Sequence, residues 1–155
     1  MKKRAILLGV AAVLAMGAVC FAADDPNMGT WKLNEAKSKF SASATKNTAV
    51  VVEAAGDSIK VTIDGVTGDG KAVHSEWTGM YDGKDYAVTG DPTYDTRSYK
   101  KVDSRTLSAT LKKGDKVVGT ARIHVSADGK SRTVTATGTD AMGKKTSSTA
   151  VYDKQ

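Results

Sequence analysis

The chain has 155 residues, with 23 Lys and Arg against 17 Asp and Glu and a single cysteine. That length supports one domain able to bury its own core, and one thiol excludes an internal disulfide framework. Charges of both signs are scattered along the chain, often as Lys pairs near turns, so the pattern reads as solvated strand ends and not as a nucleic-acid groove.

Residues 1–22 read as a leader. Met1-Lys2-Lys3-Arg4 is a basic head, 5–19 is an uncharged apolar run, and Cys20 and Ala22 place small residues before a cut at Ala23. The apolar run is shorter than the ~20 residues a membrane span requires. Acylation at Cys20 is disfavoured because Val19, not a small residue, precedes it. Cleavage makes 23–155 a periplasmic or secreted domain with no stable membrane insertion. It carries 20 basic and 17 acidic residues, a net charge of +3, because Lys2, Lys3 and Arg4 leave with the leader. It also retains no thiol, hence no thiolate metal ligand or nucleophile.

Beyond a loose Asp24-Asp25-Pro26-Asn27, the chain is a series of short alternating stretches broken by turn residues. Strands are predicted at 30–33, 48–54, 58–64, 71–81, 86–89, 96–102, 106–112, 116–126, 132–139 and 146–152. Asp82-Gly83, Gly114-Asp115, Asp128-Gly129 and similar pairs separate them. Such pairs accept the positive φ of tight hairpins, because glycine has no Cβ to clash. Only 34–46 escapes the pattern; it is predicted to hold one or two helical turns, with Asn34 as N-cap. The mature stretch has 13 Val and 18 Thr but three Leu, a composition that fits pleated surfaces better than helices. Its Leu, Ile, Val and Phe total only 20 of 133 residues, thin for a core, but modest net charge and regular turns argue against disorder. Strands at this spacing predict an all-β antiparallel up-and-down barrel of eight to ten strands.

Alternation assigns faces. Val50 and Val52 share one, as do Val61 and Ile63. Ser75, Trp77, Gly79 and Tyr81 lie opposite His74, Glu76, Thr78 and Met80. Leu107, Ala109 and Leu111 go together, as do Ala121, Ile123 and Val125, while Val134, Ala136 and Gly138 oppose a row of threonines. Tyr99 and Arg97 share a face with Lys101; alternation leaves open whether that face is interior or solvent. One apolar and one hydroxyl-rich face per strand suits a closed barrel, which leaves no edge unpaired.

Gly29-Thr30-Trp31-Lys32-Leu33 opens the first strand, followed by a short turn-helix segment and a meander of hairpins. This resembles the calycin superfamily, which joins lipocalins and fatty-acid-binding proteins, and in particular the small exported lipocalin-like domain proteins of bacteria. The resemblance implies that Trp31 plugs one barrel end. The terminal Ala150-Val151-Tyr152 is similar to the last strand of fatty-acid-binding proteins, where Arg-x-Tyr grips a carboxylate. Here Tyr152 matches but Ala150 stands in the Arg position, so that mode of binding does not carry over as it stands. An Arg-x-Tyr does occur at Arg97-Ser98-Tyr99.

His74 and His124 lie on polar faces of different strands, too few for a zinc or copper site. No Gly-x-Ser-x-Gly elbow is present. The stretch Gly65-Val66-Thr67-Gly68-Asp69-Gly70-Lys71 lacks the Gly-Lys-Ser/Thr ending of a phosphate loop and reads as a hairpin turn. The expected function is therefore non-enzymatic: a monomeric barrel holding a small apolar or weakly polar molecule, without cofactor or metal. The candidate ligand-binding residues are Trp77, Tyr81, Tyr86, Arg97, Tyr99 and Tyr152, and a pocket without an inward cation is expected to prefer neutral guests unless Arg97 points inward. The alternative is a filled barrel acting as a structural or interaction module of the bacterial envelope.

Overall fold

A computed structural model describes residues 25–140 and 142–155; the expected leader lies outside the described residues. The order is β1 (Gly29–Leu33), a 3-10 turn (Glu35–Lys37), β2 (Lys39–Phe40), β3 (Lys46–Ala55), β4 (Ser58–Val66), β5 (Ala72–Gly79), β6 (Tyr86–Thr89), β7 (Thr96–Asp103), β8 (Thr106–Lys113), β9 (Lys116–Val125), β10 (Ser131–Thr139) and β11 (Lys145–Lys154). Every pairing is antiparallel. β1 pairs with both β3 and β11, which closes β1 and β3–β11 into an up-and-down barrel of ten strands. The ten predicted strands all appear. β2, only two residues long, was not foreseen; it lies on β11 through Ser148 and Thr149.

The local choices follow the residues. The Asn34 side chain accepts from the Lys37 backbone N–H at 3.2 Å, capping the 3-10 turn. Ser38 then fixes the segment to the wall: its hydroxyl donates to Asn34 O at 2.7 Å and accepts from Val151 N at 2.9 Å. Gly29 has φ 111°, and a Cβ there would stand 2.9 Å from Lys154 Cε. A glycine lets the chain swing into β1 while Lys154 passes close by. Residues 67–71 form a hairpin turn, with Thr67 N donating to Lys71 O at 2.8 Å.

Inward residues build one core of Trp31, Val50, Val52, Val61, Ile63, Trp77, Leu107, Ile123, Val125 and Tyr152, among others. The wall is thinnest at β6, which shares only Glu76↔Thr89 and Trp77↔Val88 with β5 and two pairs with β7. Gly79 belongs to this region. A Cβ on it would fall 2.5 Å from Tyr86 Cγ and 2.7 Å from Trp77 Cζ2, so its missing side chain is the space the two rings occupy.

Candidate functional site: a cation-backed cavity

The two ends of the barrel differ. The end bearing the β3–β4, β7–β8 and β9–β10 turns is filled. Trp31 is fully buried there, its indole N–H donating to Asn27 O at 2.8 Å. Arg132 and Lys154 lie 5.6 Å and 5.2 Å from its ring centre. A void of about 10 Å3 lies at this end among the described residues. The opposite end, covered by the segment 34–46, holds a cavity of about 160 Å3, partly open to solvent. Its room comes from small inward residues on the last three strands, Gly119, Ala136, Gly138 and Ala150, while Tyr94 and Tyr152 stand deepest among its aromatic lining.

Behind Tyr94 sits a buried guanidinium. Arg97 is 4% exposed. Its Nη2 donates to the Tyr94 hydroxyl, and its Nη1 donates to the Tyr99 hydroxyl at 3.0 Å. Trp77 completes the layer: its N–H donates to Arg97 O at 2.8 Å, and its ring meets Tyr99 edge-on at 4.8 Å. Arg132 is buried too, 7% exposed, against the rings of Trp31 and Tyr152. No described carboxylate pairs with either arginine; the ion pairs found involve other residues on the outside.

The neighbouring phenols do not act as counterions. Burial pushes Tyr94 up to about 12, outweighing the downward pull of Arg97. Burial likewise holds Tyr152 at about 12, against Arg132, and raises Tyr81 well above its ordinary value. At neutral pH these hydroxyls are protonated and uncharged. Burial pulls the Arg132 guanidinium below its ordinary value. For Arg97 burial also pulls down, but the Tyr99 and Tyr94 oxygens it faces more than offset this. A guanidinium stays protonated in any such setting, so the interior carries two positive charges with no carboxylate paired to them among the described residues.

Hydrogen-bond polarity gives the cavity a definite character. Tyr94 accepts from Arg97, so its own O–H is left to donate. Tyr94 is a lining residue of the cavity, and its hydroxyl, polarised by the cation it accepts from, keeps a proton of the kind an acceptor or anion requires.

Of the six residues singled out from sequence, Tyr152 alone lines this cavity. Arg97, Tyr99 and Trp77 form the layer behind it, with both Arg97 and Tyr99 pointing inward. Tyr81 packs on Tyr99 at 5.8 Å toward the filled end. The Tyr86 ring packs on Trp77, while its hydroxyl donates to Asp82 Oδ2 at 3.0 Å on the outside. Sequence reasoning missed two residues. Tyr94 lies in the β6–β7 loop, where no periodicity assigns a face. Arg132 shares the face of Val134 by alternation, a signal present in the sequence. His74 sits outside, its Nδ1 2.7 Å from Asp64 Oδ1, and His124 pairs with Thr106 at 3.0 Å.

Comparison with known protein families returns no match to the chain, and neither does comparison with curated proteins.

Proposed function

We propose that this chain is an exported, calycin-like binding protein whose guest is a small organic anion held in the open-end cavity. The observation carrying this reading is the buried, unpaired Arg97 guanidinium behind the donating hydroxyl of Tyr94. Burying such a charge without an anion costs several kcal/mol, and a carboxylate or similar group on Tyr94 would offset that cost. Size adds a second criterion. The cavity of about 160 Å3 is below the roughly 300–1,000 Å3 of pockets for drug-sized ligands. It is close to the ~150 Å3 that accepts a benzene-sized molecule, which favours a benzene-sized or short-chain acid as the guest. The expectation of a neutral guest is thereby reversed, because an inward cation is present after all.

The test is calorimetric titration with acids of increasing length, using the intact protein and Tyr94→Phe. Benzoate-sized acids should bind and sixteen-carbon acids should not. Removing the hydroxyl should weaken benzoate about 10- to 100-fold, the worth of a hydrogen bond to a charged group. Tight binding of long-chain acids, or no effect of Tyr94→Phe, would count against the reading.

A second reading, a filled module docking to envelope components, draws on the outer wall. There, register aligns Ser108, Arg122, Thr135 and Thr149 in one row across β8–β11. It predicts no small-molecule binding at all.

A further inference from the structure

The void at the filled end is small but chemically specific. Asn27, Tyr81, Tyr99 and Arg132 line it, together with Val52, Val61, Leu107 and Ile123. Two of its polar atoms, Arg132 Nε and Asn27 Oδ1, are buried and have no hydrogen-bond partner among the described residues. They do not bond each other. The Asn27 backbone N–H and one Nδ2 proton donate to Asp25 Oδ1 at 2.9 Å and 3.1 Å, which orients the amide and leaves Oδ1 without a partner among the described residues. A third group has spare capacity: Tyr99 accepts from Arg97 Nη1, so its proton is free to donate.

From this geometry we infer a single structural water locked at the filled end, bridging Arg132, Tyr99 and Asn27. The inventory of donors and acceptors selects water. Arg132 Nε–H and the Tyr99 O–H supply two donors, and Asn27 Oδ1 supplies one acceptor. A water accepts the first two bonds and donates the third, the number a buried water ordinarily makes. A halide satisfies the donors but faces the Asn27 oxygen, which repels it. Volume agrees: about 10 Å3 is close to the ~10–15 Å3 that admits one water. Leaving both atoms unpaired in an apolar surround is the costly alternative.

The water has a structural consequence. It ties the segment around Asn27, which carries the Trp31 acceptor, to β10 at Arg132. Through Tyr99 it also joins the Arg97–Tyr94 pair, so one polar string runs from the filled end to the cavity lining. The inference is independent of what the open-end cavity binds.

The experiment is a high-resolution crystal structure of the whole protein, repeated after a bromide soak, with proton NMR of the same protein in solution. The expected result is one density peak within hydrogen-bond distance of Arg132 Nε and Asn27 Oδ1, no anomalous bromide signal there, and a water cross-peak to the Arg132 Nε proton. Asn27→Leu, which keeps the bulk and removes the acceptor, should lose that cross-peak. Should the variant not fold, the wild-type density and cross-peak decide alone. A dry void, a direct Arg132–Asn27 bond or a bromide peak overturns the inference.

Discussion

Replacing Trp31 by alanine tests the architecture of the filled end. Trp31 has no exposed surface, so the substitution removes a fully packed indole from the end of the barrel that holds a void of about 10 Å3. Emptying such a site costs ~3–5 kcal/mol. Two further losses fall within that range: Asn27 O loses the indole donor at 2.8 Å, and Arg132 and Lys154 lose the ring face beneath them. Against a total stability of roughly 5–15 kcal/mol for a domain, the change is severe. With a urea slope of ~1–3 kcal/mol/M, the unfolding midpoint should fall by on the order of 2 M. The chain has two tryptophans, so in this variant Trp77 alone reports unfolding by fluorescence. Trp31→Phe keeps a ring but not the N–H, and should cost about 1–3 kcal/mol, chiefly for the acceptor left unpaired. A Trp31→Ala loss below about 1 kcal/mol would show that this end is not packed as described.

Gly79→Ala should destabilise by ~1–3 kcal/mol, the usual range for overpacking, because its Cβ would intrude on Tyr86 and Trp77; denaturant melts showing no change would contradict the fit. Arg97→Met should stay within ~2 kcal/mol of wild type, since burying an apolar side chain replaces an uncompensated charge, and chemical denaturation will reveal a larger loss if some protein group does compensate it. Stability should fall in alkali. Tyr94 and Tyr152 are held at about 12 when folded, against about 10 when unfolded. Their contribution is whole below pH 10 and is lost as pH rises toward 12, on the order of 2–3 kcal/mol for each. Urea titrations between pH 9 and 12 should show a shallower decline in Tyr152→Phe than in wild type, and identical slopes would refute the assignment.

The barrel was legible because its signals are local. Asp-Gly turns mark strand ends, alternation marks faces, and Asn34 carries its cap in its own side chain. Alternation has a limit, which Arg97 shows. It placed Arg97 and Tyr99 on one face, but nothing in a single strand says which face closes over a core. That is decided when β7 pairs with β8 and the sheet curls shut. β2 escaped because two residues carry no period. Tyr94 escaped because a loop residue's direction depends on the strands that anchor it. The uneven interior was least readable. Small residues occur on both sides of the barrel, but Gly79 makes room for Tyr86, whereas Ala136, Gly138 and Ala150 face the cavity. The difference lies in what stands across the barrel, which one strand's sequence does not contain.

The central claim is that the open-end cavity reads negative charge through Tyr94 and Arg97. The most direct measurement is paired calorimetric titration of the protein at pH 7 with benzoate and benzamide, which match in size and differ in charge. Benzoate should bind at least about tenfold more tightly, the equivalent of one charge-assisted hydrogen bond, and that preference should disappear in Arg97→Met. Equal affinity for the two, or tighter binding of the amide, would contradict the account.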